Sequence, residues 1–547
     1  MDKILFIVPL PITYDDFVHP AYNAKIIKKK NGGFASVLTD MPLGVLSMSA
    51  YIKKHATVET KLIDFNIILN KLEKFEYGSF TEFFYDYLSS SDSVNFAPDI
   101  ICISALFTPA YFNMLEIAQC CRKIFPKAII TAGGGVPTNL YREIYSNSSC
   151  FDALCYGEGE RALLDLVKAE NKRQCLEDGS SWITRSKIEN NQAFKHDFIV
   201  NLDEIPFYDY DICKTKEYGL NPAIEAYSAV DEKKQNFHVM TSRGCPYRCI
   251  FCASHSVHGR KMRYFSIGRV MEDFRRLRDE YGAKTLVFQD DHFVADRERA
   301  LAILKIVKGL NITAVFQNGL ALYALDRPML EALKTAGLDQ LVLALESGSD
   351  RVLKEIMHKP LNLSMVKPVA DNCRELGIYM DVNILIGLPG ETKKDIEDTR
   401  DFLKTINANW FRITVATPLV GSEMFDICVK KKYIKGNYID CHYKKAIIET
   451  EDFTAEYLQE KAYLLNLELN FVENSDLRLG NYAVALKGFE NAIRAKSNHA
   501  IAYYCASKCY ENLGDHKKAQ QYMDTAKKIV KEAPLWRRYA DMFNVPI

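Results

Sequence analysis

Three cysteines stand close together near the middle of the chain, in Thr241-Ser242-Arg243-Gly244-Cys245-Pro246-Tyr247-Arg248-Cys249-Ile250-Phe251-Cys252. The C-x3-C-x2-C spacing lets one loop deliver Cys245, Cys249 and Cys252 to a single metal centre without help from distant segments. Cysteine thiolates are the ligands that hold iron–sulfur clusters. A four-iron cube held by three local thiolates keeps one iron open to a substrate or cofactor, and an open position separates a catalytic metal site from a closed structural one. The alternative is a structural zinc site with His255 or His258 as fourth ligand. Zinc sites of that type usually draw their ligands from two separated pairs rather than one tight run.

Such a loop needs a rigid frame. Phe237-His238-Val239-Met240-Thr241 reads as a strand that feeds it. Further strands are expected at Thr285–Phe288, ending in Gln289-Asp290-Asp291-His292-Phe293, then at 314–317 and 340–348. The last two are 380–386, running into Gly387-Leu388-Pro389-Gly390-Glu391-Thr392, and 411–415. Six strand–helix units predict a partial barrel, open on one side for a large substrate, with its chemistry at the carboxyl ends of the strands. Thr392 and Asp395 form a capping pair for the helix after the fifth strand. Glu346 closes the fourth strand, where a carboxylate often does no more than form an ion pair.

With Phe251 in its aromatic slot, C-x3-C-x-(aromatic)-C resembles the signature of the radical S-adenosylmethionine (SAM) superfamily. Leu345-Glu346-Ser347-Gly348 and Gly387-Leu388-Pro389-Gly390-Glu391-Thr392 resemble one large subgroup of it. The resemblance implies a [4Fe–4S] cluster on Cys245, Cys249 and Cys252, whose open iron binds the amino and carboxylate groups of SAM. Reduced by an external donor such as flavodoxin or ferredoxin, the cluster would cleave SAM to methionine and a 5′-deoxyadenosyl radical. It also implies that Phe251 packs on the adenine side, that Gly387 lies at the cofactor and that Glu346 binds the ribose, since a carboxylate can accept from both hydroxyls of a diol. Asp290 and Asp291 would hold the SAM amino group or a substrate, or else only cap the next helix; His292 beside them is unassigned.

The N-terminal part alternates strands and helices. Lys3–Pro9, 58–64, 99–104 and 128–132 read as buried strands, with helices at 41–52 and 110–124 between them. That order implies a doubly wound parallel sheet with ligands beyond the carboxyl ends of its strands. Pro9-Leu10-Pro11 follows the first strand where a dinucleotide fold would have G-x-G-x-x-G. The pattern instead resembles the cobalamin-binding domain that precedes the barrel in the same subgroup. The carrying residues are Pro42-Leu43-Gly44, Ser104, Gly133-Gly134-Gly135 and Gly157-Glu158-Gly159-Glu160. The glycines would let the backbone approach a bulky ligand, and Ser104, Gly133, Gly134, Gly135, Gly157 and Glu158 become candidate cofactor contacts. No Asp-x-His-x-x-Gly loop is present, so bound cobalamin should have no protein histidine below its cobalt.

The expected fold class is therefore α/β: a Rossmann-like cobalamin-binding domain over 1–185, a polar linker over 186–235, a partial (β/α)6 radical SAM barrel over 236–445 and an all-α tail over 446–547. In the tail Leu479-Gly480-Asn481-Tyr482 recurs as Leu513-Gly514-Asp515-His516, a period of 34, and Ala485, Phe489 and Ala492 match Ala519, Met523 and Ala526, the small–large pattern of tetratricopeptide helix pairs. Two units cannot bury a solenoid core alone, so the tail should pack on the helix before it or on the barrel, and could recruit a protein partner.

Lys plus Arg and Asp plus Glu each number 70, a balance that recruits neither nucleic acid nor an anionic membrane surface. Fifteen scattered cysteines, no signal-peptide pattern and no membrane span predict a reducing, cytoplasmic setting. The leading expectation is an enzyme in which a SAM-derived radical activates an unactivated carbon and cobalamin delivers a methyl group. The alternatives are oxidative cyclisation or ring rearrangement, as in the anaerobic porphyrin-ester cyclases, and a non-enzymatic zinc and repeat scaffold. The substrate would be a small molecule, a lipid or a peptide.

Overall fold

The computed structural model describes residues 1–20, 25–219, 235–440 and 445–547. Its first sheet contains β1 (Asp2–Val8), β4 (Val58–Asp64), β5 (Ile100–Ser104), β6 (Ile129–Gly133), β7 (Ala153–Cys155) and β8 (Trp182–Ile183); a small hairpin, β2 (Ile26–Lys29) and β3 (Gly32–Ala35), lies outside it. The strand order is β4-β1-β5-β6-β7-β8. All pairings are parallel except β7 with β8, so a doubly wound sheet ends in one antiparallel edge strand. Lys29 pairs with Gly32, so Lys30-Asn31 is the two-residue turn of this unexpected hairpin.

Side chains alternate along each strand between the two faces of a sheet. Leu5, Ile7, Ile101, Ile103 and Ile130 enter a core of their own with Phe65, Phe80, Phe83 and Phe84. Ile4, Phe6, Ile100, Cys102 and Ile129 enter a second core that continues without a break into the barrel, through Phe237, Leu286, Leu341 and Val382. The segment expected as a polar linker joins this shared core by Ile199, Leu202, Ile205, Tyr208 and Tyr210. Its sparse apolar anchors are buried while the polar residues between them face out, so it is packed structure rather than a loose strap. A helix over Arg185–Glu189 crosses the expected boundary at 185, and residues 220–234 of the expected linker lie outside the described residues.

The barrel strands are β9 (Asn236–Val239), β12 (Thr285–Phe288), β13 (Thr313–Phe316), β14 (Gln340–Glu346), β15 (Tyr379–Ile386) and β16 (Trp410–Val415), and a short pair, β10 (Ser242–Arg243) and β11 (Arg263–Tyr264), flanks the cysteine loop. The barrel is split into two three-stranded parallel sheets, β13-β12-β9 and β14-β15-β16, joined among the described residues by one bridge from Leu320 to Leu343. Thr392 and Asp395 make the reciprocal capping box that opens the helix Lys393–Lys404.

An open barrel leaves β16 as an edge with unpaired backbone groups, a liability that proteins cover. Here the tail covers it. The helix Ala455–Leu467 continues into one π-helical turn, Glu468–Val472, from which Asn470 accepts from the backbone N–H of Phe411 and donates to its carbonyl, both at 2.7 Å. One side-chain amide thus supplies the pairing that a further strand would give. Asp476, 1% exposed, then accepts from Arg374 and Asn409 at 2.8 Å each. The helices Tyr482–Ala495, Ala500–Asn512, His516–Glu532 and Pro534–Met542 enclose a third core around Phe471, Phe489 and Trp536. Among the described residues no helix is long and apolar enough to cross a membrane.

Truncation after Glu473 strips that cover. Leu467 and Phe471 lose their neighbours, at about 1.5–3 kcal/mol for each large side chain uncovered, and Arg374 and Asn409 lose Asp476. Soluble yield, read after clarification of lysates, is expected to collapse. A soluble truncated protein with full iron content would make the tail an independent module.

Candidate functional site

The cysteine loop leaves the carboxyl end of β9 and is pinched shut at its base by the β10–β11 pair, with Ser242 opposite Tyr264 and Arg243 opposite Arg263. Gly244 opens it at φ +92°, and a Cβ there would lie 2.5 Å from the carbonyl oxygen of Lys261, so only glycine fits. Further along, Ile250 donates to the carbonyl of Met357 at 3.1 Å and accepts from the amide of Met424 at 2.8 Å. Cys245, Cys249 and Cys252 are all half-buried. Burial, partly offset by the amide of Tyr247, pushes the Cys245 thiol up to about 11, with Cys252, Asp291 and Cys249 adding to the rise. The three thiols are thus electrostatic neighbours. Among the described residues no three His, Cys, Asp or Glu side chains are gathered tightly enough for one metal ion. A single ion with bonds of about 2.3 Å needs its sulfurs within about 4 Å of each other, whereas a four-iron cube takes each thiolate on a different iron.

The two aspartates after β12 turn out to hold this loop. Asp290 accepts from the backbone and hydroxyl of Thr241, at 3.1 and 2.7 Å, and from Ser242 Oγ at 2.6 Å. Asp291 accepts from the Gly244 amide at 3.0 Å and pairs with His258 Nδ1 at 2.8 Å. Burial works to raise both carboxyls. The hydrogen bonds from Ser242 and Thr241 only moderate that rise at Asp290, while His258 and the Gly244 amide overcome it at Asp291 and hold its carboxyl low. Neither aspartate caps the following helix, a task done by Asp296. His258, one of the two histidines weighed as a zinc ligand, commits its Nδ1 to Asp291. Beside them His292 Nε2 pairs with the Tyr323 hydroxyl at 2.6 Å, which in turn accepts from Tyr247 OH at 2.8 Å.

Glu346 sits where the pairing of β14 with β15 slips, between Ala344 and Glu346, and has φ +72°. A non-glycine residue in that region is strained by about 1–3 kcal/mol and persists where surroundings demand it, often at a ligand site. Its side chain is 15% exposed, with Lys359 Nζ 4.0 Å away. Burial raises its carboxyl and Lys359 opposes the rise. Lys359 Nζ also lies 5.9 Å from the ring centre of Phe251, so Glu346, Lys359, Phe251 and the cysteine loop share one neighbourhood. Sequence reading missed Lys359 because a lysine in a loop carries no spacing signal. Gly387 faces elsewhere: a Cβ there would lie 2.5 Å from Leu458 Cδ1, in the packing of the tail helix. Glu391 braces the same turn by accepting from the Gly387 and Leu388 amides, and burial pushes its carboxyl up to about 8.

At the carboxyl edge of the first sheet Ser104 pairs with Gly133. Gly134 has φ +101°, and a Cβ on it would lie 2.6 Å from Ala105 O; one on Gly135 would lie 2.6 Å from Leu106 O. These two glycines are therefore required by the neighbouring loop itself rather than by an open slot. That neighbouring loop, which follows β5, carries Leu106 and Phe107, 57% and 60% exposed, an apolar rim at the carboxyl edge of the sheet. A Cβ on Gly157 would strike His196 Nδ1 at 2.3 Å; His196 is stacked between Tyr156 and Phe198. Glu158 is 5% exposed and accepts from both terminal nitrogens of Arg263, at 2.8 and 2.5 Å, so its carboxylate is taken up inside the protein. The loop after β1, Pro9 to Thr13, offers no imidazole.

Two family models match the chain: the B12 binding domain over residues 35–167 and the radical SAM superfamily over residues 239–403. An uncharacterized methyltransferase of Pyrococcus horikoshii is 27% identical over 379 residues, 68% of this chain and 78% of that protein. The cytidylyl-2-hydroxyethylphosphonate methyltransferase of Streptomyces wedmorensis is 25% identical over 464 residues, 78% of this chain and 86% of its own length. Among solved structures, the radical SAM methyltransferase TsrM of Kitasatospora setae, with cobalamin and a [4Fe-4S] cluster bound, superposes with a TM-score of 0.57 at 14% identity, covering 97% of this chain and 100% of that one. The chain belongs to the radical SAM enzymes that carry a B12-binding domain ahead of the radical SAM domain.

Proposed function

We propose that this enzyme uses SAM, a [4Fe–4S] cluster and cobalamin to transfer a methyl group to a carbon atom of a small-molecule substrate, in a reducing cytoplasm and with an external flavodoxin- or ferredoxin-type electron donor. The observation that carries the reading is the joining, through one unbroken apolar core, of a three-thiol loop to a sheet whose carboxyl edge presents exposed Leu106 and Phe107. When bound, the cluster supplies the electron that cleaves SAM and cobalamin supplies a carrier position for the methyl group.

The residues fit those groups. Cys245, Cys249 and Cys252 are soft thiolate donors of the kind that iron–sulfur clusters take. Phe251 offers an apolar face to adenine. Glu346, with Lys359 Nζ 4.0 Å away to oppose the rise that burial imposes on its carboxyl, accepts from the ribose hydroxyls. Asp290 and Asp291 hold the ends of the loop, so the thiols keep their places while the loop's outer face stays open. Leu106 and Phe107 offer an apolar surface to a corrin face, and Ser104 stands at the same edge.

The test is anaerobic reconstitution with iron, sulfide and cobalamin, followed by reductant and SAM bearing a deuterated methyl group. Both S-adenosylhomocysteine and 5′-deoxyadenosine are expected as products. Formation of 5′-deoxyadenosine alone would remove methyl transfer and leave a plain radical SAM reaction. Glu346→Gln keeps the shape of the side chain but loses charge-assisted hydrogen bonds worth about 1.5–3 kcal/mol each. The Kd for SAM, read by equilibrium binding, is expected to rise by roughly tenfold or more with the cluster absorbance intact; an unchanged Kd would clear Glu346 of the ribose role.

A further inference from the structure

The β10–β11 pair that closes the cysteine loop places two arginines directly opposite each other, Arg243 and Arg263. Like charges facing across a strand pair repel. Both side chains are moreover withdrawn from water, each 4% exposed, so water cannot screen that repulsion. The compensation comes from the other domain. The turn after β7 supplies Glu158 and Glu160, whose side chains are 3% and 4% exposed. Glu158 lies between the arginines, 3.2 Å from Arg243 Nη1 and 2.5 Å from Arg263 Nη2. Glu160 accepts from Arg243 Nη2 at 2.7 Å. Ser47, on the helix Leu43–His55 of the first domain, donates to Glu160 at 2.6 Å and accepts from Arg243 at 3.1 Å. Arg263 is further committed to the carbonyls of Ile199 and His258 and to the ring face of Phe198.

A buried ion pair of this kind adds little net stability over an apolar pair of equal volume, but removing one partner strands the other charge. What such a network does supply is a fixed relative position. Arg243 immediately precedes Gly244 and Cys245, and Glu158 and Glu160 immediately follow the strand end that bears Gly157. A second tie runs beside it: Asn139 of the first domain donates to Ser256 Oγ at 2.9 Å, four residues past Cys252.

We infer that Arg243, Arg263, Glu158 and Glu160 form a charge clamp that sets the cysteine loop against the B12-binding domain, so that the first domain completes the base of the cluster loop and fixes the spacing between the two cofactors. These are positioning residues; none of them touches a reacting atom. The inference rests on the proposed pairing of a cluster with cobalamin, and its test separates the two.

In the reconstituted enzyme, Co(II) cobalamin is expected to speed the relaxation of the reduced cluster's electron paramagnetic resonance signal, an effect that falls steeply with distance. Glu160→Gln, a change in the first domain, should cut that enhancement by about threefold or more through loss of a charge-assisted bond, with iron and cobalamin contents unchanged. Ser47→Ala, a milder lesion that should not unfold the protein, should reduce it less and in the same direction. A folded Glu160→Gln enzyme that holds both cofactors and keeps the parent enhancement overturns the clamp. If that variant fails to fold, Ser47→Ala decides on the same criterion. If the parent enzyme takes up no cobalamin, the proposed function falls instead, and hydrogen exchange on the cluster-loaded protein still reads the clamp. The Gly244 and Cys245 amides should then exchange about tenfold faster in Glu160→Gln, or in Ser47→Ala should Glu160→Gln not fold, while unchanged exchange overturns it.

Discussion

Replacing Cys245, Cys249 or Cys252 with Ala is expected to abolish the charge-transfer absorbance of the cluster and all reductive cleavage of SAM. The effect is large because the remaining two thiolates cannot hold a four-iron centre on a loop that supplies every local ligand. It is also specific. The loop's base is held by Asp290, Asp291 and the β10–β11 pair, none of which depends on a thiol, so the fold should survive each single change. Circular dichroism and the Tm should stay near the parent values while iron content falls. Survival of SAM cleavage in all three variants would mean that the cluster sits elsewhere.

Gly134→Val should have the second large effect, on the first domain. The residue has φ +101°, and its new Cβ would meet Ala105 O at 2.6 Å. That carbonyl already accepts from the Val136 amide, so it cannot swing away without breaking the turn. A β-branched residue in that backbone region costs about 1–3 kcal/mol, and the overpacking adds about 1–3 kcal/mol. In a domain of this size the sum lowers the Tm by roughly 5–20 °C. Cobalamin retention after desalting is expected to be lost, because Leu106 and Phe107 ride on the displaced loop, while the iron content holds. Gly133→Ala makes the contrast: its Cβ would lie 3.5 Å from Cys155 Cβ, an ordinary contact, and the Tm should stay near the parent value. Equal behaviour of the two variants would show that the turn is not the constraint.

Much of the site was legible in the chain because its signals are local. The cysteine loop is written within twelve residues, each barrel strand is a short apolar run with a turn after it, and the Thr392–Asp395 box forms as its spacing implies. Local patterns also misled. Asp290 and Asp291 were expected to hold the SAM amino group or a substrate, or to cap the next helix, yet each accepts from residues nearly fifty positions away. Gly134, Gly135 and Gly387 resembled glycines kept small for a ligand, but protein atoms fill the space beside them. Glu158 looked like part of a cofactor turn and is instead the centre of a buried charge cluster.

By itself, then, the sequence determined the three-cysteine signature, the α/β class with its helical tail, and the order of the main strands along the chain, because periodicity and spacing act over a few residues. Only the tertiary structure decided that one face of the first sheet and the barrel share a single core, that Asn470 closes the open edge of β16, and that two glutamates of one domain neutralise two arginines of the other. Those outcomes depend on which surfaces meet. A buried charge or an unpaired edge finds its partner only through contacts between segments far apart in the chain, and no local pattern encodes them.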